Sequence, residues 1–194
     1  LGTLLALLGL AVLTGCASSR MVDSDVSAFA GANGAQRPAS YRFERLPSQE
    51  AQGNSQSRIE SIAEVALQNV GLTPSATVPK YSVQITVRVA AYLRHPQRVN
   101  SRNWLLDEGK DGTRGPTMLL NLEPTWYKHS VHLVLRDLGT GQVAYETQAT
   151  HDGPWSDTLG LLPAILDAAL ADYPNPPQGP RNIVVELHNA SVTP

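Results

Sequence analysis

Cysteine is all but missing: the 194-residue chain holds one, at position 16. A lone thiol leaves no disulfide framework and no Cys-based metal site, so stability has to come from packing. An excess of charge of one sign is missing too. Fifteen Lys and Arg stand against seventeen Asp and Glu, with no long run of either. This argues against a nucleic-acid partner, because binding the phosphate backbone demands clustered basic residues. The apolar run at residues 4–13 is ten residues long, well short of the roughly 20 a spanning helix needs. No glycine-punctuated acidic loop for calcium is present, and no G-x-S-x-G nucleophile elbow. Neither a metal nor a cofactor is implied.

What is present begins with residues 4–16, LLALLGLAVLTGC. Ten apolar residues followed by small ones match the hydrophobic core and cleavage region of a secretory signal. The chain starts at Leu1 rather than Met and shows no early Lys or Arg, so the natural N-terminus is expected to be longer. Leu13-Thr14-Gly15-Cys16 resembles the bacterial lipobox, which implies Leu13, Thr14 and Gly15 as the signal-peptidase recognition site and Cys16 as the residue to be lipidated. Their spacing from the apolar run favours this over an ordinary buried cysteine, which behaves as a small hydrophobe. One acyl chain binds a membrane only marginally whereas two or more anchor stably, at about 0.8 kcal/mol per buried methylene. The membrane is thus the first expected partner. The segment is similar to those of Gram-negative lipoproteins, and Ala17 and Ser18 lack the aspartate that retains such proteins at the inner membrane; the resemblance implies the outer membrane, facing the periplasm.

The remaining chain is long enough for one domain. We divide it into a signal peptide at 1–15, a tether with a first extended segment at 16–38, an α+β domain at 39–174, and an extension at 175–194 that can add an edge strand. Within the tether, Asp23 and Asp25 share a face of an extended chain. They are too few for a calcium site, which needs six or more oxygens. Residues 40–46 alternate large apolar with charged side chains, a strand ended by Pro47. Ile59, Ile62, Ala63, Ala66, Leu67 and Val70 recur at helical spacing, with Ser57 and Glu60 in capping-box positions and Gly71 as the stop. Residues 81–93, YSVQITVRVAAYL, alternate most clearly and are expected to run through the middle of a twisted antiparallel sheet.

A long connection at 94–125 follows. Loops beyond about 12 to 15 residues are commonly functional or disordered, so Arg94, Arg98, Arg102 and Trp104 make it the candidate binding loop. Two strands at 126–138 and 142–150 flank a Gly139-Thr140-Gly141 turn. His129 and His132 are three apart, on opposite faces of a strand, so they cannot share a metal; His151 from the partner strand could add a ligand only in a suitable pairing register, and ligand geometry disfavours a zinc site. His151, Asp152, Ser156 and Asp157 suggest a hydrolase by composition, but a triad is defined by geometry, and a turn capping the next helix over Trp155 is the preferred reading. Leu159, Leu162, Ile165, Leu166, Ala169 and Leu170 make a second apolar helix, with Pro163 near its first turn and Pro174 beyond its end.

The order of these pieces resembles the DUF4136 family of bacterial lipoproteins over most of residues 19–174. It is carried by the Leu13-Thr14-Gly15-Cys16 site, by Asp23, Asp25 and Phe29, and by Tyr41 and Phe43. The helix ending at Gly71, the strand from Tyr81, Arg136-Asp137 with the Thr140-Gly141 turn, and Tyr173-Pro174 continue it. The resemblance implies an envelope location and a layered α+β fold, and no activity. The expected fold is α+β, an antiparallel or mixed sheet with two helices packed on one face. The expected function is a non-enzymatic, lipid-anchored binding or assembly module that meets another envelope protein. A hydrolase using His151 and Ser156, and a plain structural spacer, are the alternatives.

Overall fold

A computed structural model describes residues 20–93 and 125–187. The alternating run forms β4 (Tyr81–Leu93), which pairs antiparallel along its whole length with β5 (Thr125–Asp137), from Tyr81 opposite Asp137 to Leu93 opposite Thr125. A tight turn returns the chain as β6 (Val143–Gly153). Asp137 holds that turn, its Oδ1 accepting from the amides of Gly139 and Thr140 at 2.8 and 3.0 Å, while Gly141 takes the left-handed φ of 71° that the reversal needs.

Around this meander lie β1 (Arg20–Ala30), β2 (Ala39–Phe43), β3 (Leu72–Pro74) and β7 (Arg181–Leu187), giving one seven-stranded sheet in the order β3-β2-β4-β5-β6-β1-β7. The expected α+β class holds, with a mixed and open sheet. β2 runs parallel to both β3 and β4, whereas the remaining neighbours are antiparallel. Three residues of β3 carry no periodicity of their own, so only the long-range pairing reveals that strand. β1 lies between β6 and β7 rather than at an edge. Val22, Ser24, Val26 and Ala28 point inward and are buried, so the sheet begins at Arg20, within the stretch expected to hold the tether and the first extended segment. The extension does add an edge strand, β7, paired antiparallel with β1.

The helices are α1 (Pro47–Glu50), α2 (Asn54–Asn69) and α3 (Thr158–Leu170). α2 and α3 pack on each other and on one side of the sheet. α2 buries Ala63, Ala66 and Leu67 as its stripe predicts, but it starts a turn earlier than the Ser57 cap. Glu60 is not free to close a capping box, because both its oxygens are taken by the guanidinium of Arg45, one at 2.7 Å from Nε. A bidentate charge-assisted pair outcompetes a single bond to a backbone amide. α3 begins as expected, Asp157 accepting from the Gly160 amide at 3.0 Å, and Pro163 falls in its second turn. Eight of the thirteen residues of α3 are apolar and buried. The core is the layer between these helices and the inward residues of the strands, with Tyr41, Tyr81 and Tyr145 among its largest members. Among the described residues no helix is long and apolar enough to cross a membrane.

Candidate functional site

Side chains alternate across a strand. Burying Val83, Ile85, Leu133 and Leu135 beneath the helices therefore turns Gln84, Thr86 and Arg88 of β4, and Ser130 and His132 of β5, to the other side. The pairing register lines these up in rows: Thr86 opposite His132 opposite Gln148, and Arg88 opposite Ser130 opposite Thr150. Among the described residues no helix covers this side. With Leu46 at its lip, where the chain leaves β2 for α1, the face holds an open depression of about 460 Å³ lined by Gln84, Thr86, Arg88, Ser130, His132 and Gln148.

The lining is a field of donors and acceptors with one aliphatic side chain. His132 Nε2 sits 2.8 Å from Glu146 Oε1. Tyr92 donates its hydroxyl to Asp152 at 3.2 Å, and Lys128 approaches the same carboxylate at 3.7 Å. Exposed pairs of this kind contribute about 0–1 kcal/mol each to stability. Their effect is to orient polar groups across the sheet. Arg88 forms no ion pair with another described residue, so its cation is offered to the depression. Such a surface fits a hydrated polar partner, because donors and acceptors that stay wet exchange water for ligand at little cost.

The two other strand histidines lie on the helix side. His129 and His151 are cross-strand partners, both buried, with ring centroids 6.2 Å apart. His129 Nε2 donates to Trp155 O at 2.9 Å and His151 Nδ1 to Asp23 O at 2.6 Å. His151 also stacks on Trp155 at 5.9 Å, and Arg20 lies over that indole at 4.9 Å. Gly153 makes this possible, since a Cβ there would stand 2.8 Å from His151 Nε2. His132, on the opposite face, is excluded from the pair, and among the described residues no three His, Cys, Asp or Glu side chains gather as metal ligands.

This placement does not bring His151 and Ser156 together as a nucleophile and base. His151 is held by Asp23 and walled in by Gly153 and Trp155, Asp152 points to the open face, and Asp157 caps α3. No hydrogen bond joins Ser156 to His151. Asp23 and Asp25 are both exposed, and Asp25 accepts from Asn182 of β7 at 3.1 Å. Leu13, Thr14, Gly15 and Cys16 lie outside the described residues, as do Arg94, Arg98, Arg102 and Trp104. The depression itself was not singled out by sequence. Its signal is the polar parity of β4 and β5, which reads as ordinary solvated strand until the register sets the rows side by side.

No family model matches the chain, and no curated protein matches its sequence. Solved structures do resemble it. A PDZ domain protein from Parabacteroides distasonis superposes with a TM-score of 0.51 at 13% identity, over 94% of this chain and 42% of that one. A PelC dodecamer from Paraburkholderia phytofirmans gives 0.45 at 13% identity over 79% of this chain and 99% of its own. A minor lipoprotein from Acinetobacter baumannii gives 0.36 at 14% identity over 68% and 85%. At these identities the likeness to the first concerns the fold alone.

Proposed function

We propose that the chain is a lipid-anchored envelope lipoprotein, held by Cys16 at the periplasmic face of the outer membrane, and that it acts as a binding or assembly module through the uncovered face of its sheet. The observation that carries the binding role is the row structure of that face. Thr86, Arg88, Ser130, His132 and Gln148 converge on one depression, while the opposite face is spent on the core. The anchor is supported by the Leu13-Thr14-Gly15-Cys16 site in register with the apolar run before it. A hydrated protein or glycan surface of the envelope suits the lining, and DUF4136 remains the family it resembles.

The test is photo-crosslinking in intact host cells from Thr86 and Gln148, against Val65, which is exposed on α2 of the opposite layer. One envelope component captured from both sheet positions and not from Val65 is the expected result. Equal capture from all three, or none, contradicts the assignment of the face.

A further inference from the structure

We infer that the end of the sheet where β1 begins is a lipid-contacting face, resting in the headgroup layer of the membrane that holds Cys16; this rests on the anchored reading above and adds an orientation to it. The register collects that end. Arg20 is paired with Leu187, Tyr127 with Gly153, Tyr92 with Trp126 and Leu93 with Thr125, and Arg20 lies over Trp155 just past the end of β6. Six side chains, Arg20, Tyr92, Leu93, Trp126, Tyr127 and Trp155, are therefore brought to one rim from four separate stretches of chain.

The length of chain before β1 places this rim. Three residues separate Cys16 from Arg20, and four steps of at most about 3.6 Å reach roughly 14 Å. The headgroup layer takes up about 5–7 Å of that on each side of a bilayer. The Arg20 rim thus stays within about 10 Å of the headgroup surface, whereas the β5–β6 turn lies at the far end of the sheet.

The rim has the chemistry of an interface. Tyr and Trp carry an apolar body with a polar tip and concentrate where membrane meets water. Leu93 is 56% exposed and Tyr92 38% exposed, so the fold need not open to present them. Arg20 supplies a guanidinium suited to phosphate. The nearby carboxylate of Asp152 is countered by Lys128, which removes the repulsion that a bare acid would meet at an anionic surface. The far end also exposes Leu138 and Phe29, beside the polar turn of Asp137, Thr140 and Gln142, but among the described residues it gathers no exposed Tyr or Trp.

The experiment uses the full acylated chain in vesicles of phosphatidylethanolamine and phosphatidylglycerol containing brominated lipid. A fluorophore is placed on Leu93→Cys in one sample and on Leu138→Cys, beside the far turn, in another, with Cys16 acylation verified by mass. Strong quenching at position 93 and none at 138 is expected, and Tyr92→Ser should weaken the quenching at 93 while leaving the melting temperature of the chain nearly unchanged. Equal quenching at both positions, or none at either on an acylated chain, overturns the orientation and leaves the anchor standing. A chain from the host whose Cys16 is unmodified removes the anchor, and the orientation falls with it.

Discussion

At single residues, two glycines matter for space rather than for backbone freedom. A Cβ on Gly31 would stand 1.9 Å from Val143 O, a backbone atom that cannot swing aside. On Gly153 it would meet His151 Nε2 at 2.8 Å and Trp155 Cε3 at 3.2 Å. Gly153→Ala should cost about 1–3 kcal/mol, the usual range for overpacking a filled site, read as a lower melting temperature. An unchanged melt would mean that the His151–Trp155 stack is not packed as described. Tyr145 bears on pH. Burial pushes its hydroxyl from the usual 10 up to about 12, against smaller opposite pulls from Arg181 and the Thr147 hydroxyl, and that hydroxyl makes no well-formed hydrogen bond. A folded-state value above the unfolded one means that this contribution is whole below pH 10 and is lost as pH rises toward 12. Tyr145→Phe should therefore leave neutral stability within about 1 kcal/mol and reduce the loss on alkaline titration, followed by circular dichroism. An unaltered alkaline profile would assign that loss to other groups, with Tyr41 and Tyr173, both raised by burial, next in line.

Among elements, the ones legible in sequence are those whose pattern is local. The strict alternation of Val83, Ile85 and Val87, the Gly139-Thr140-Gly141 turn, and the apolar stripes of α2 and α3 all announce themselves within a dozen residues. Asp157 belongs here: Asp157→Ala should destabilise α3 by about 1 kcal/mol, the worth of an N-cap, and chemical denaturation measures it directly. What was illegible depends on partners distant in sequence. Glu60 looks like a capping residue until Arg45 claims it. β1 mixes Ser24 among its inward valines, and its place between β6 and β7 is set by strands more than a hundred residues away. β7 was visible as a β-branched stretch but not as a necessary one. Its core-side residues Ile183, Val185 and Leu187 are half-buried, and Arg181 pairs with Asp172. Ending the chain after Pro180 should cost roughly 3 kcal/mol of apolar burial and bare the β1 edge, a template for pairing with other chains. Light scattering should then show concentration-dependent association. A truncated chain that stays monomeric and equally stable would make β7 an ornament of the sheet.

For the molecule as a whole, two helices occupy one sheet face, and among the described residues the other face is polar and uncovered. The fold class follows from periodicity, yet the candidate site does not, because Thr86, His132 and Gln148 become neighbours only when β4, β5 and β6 are paired in register. The account joins that open face to a membrane through sixteen N-terminal residues, and the join depends on the one cysteine. Intact-mass measurement of the protein purified from its native host tests it most directly. The account predicts a chain beginning at Cys16 with a diacylglyceryl group on its sulfur; a free thiol there, with residues 1–15 still attached, would contradict it.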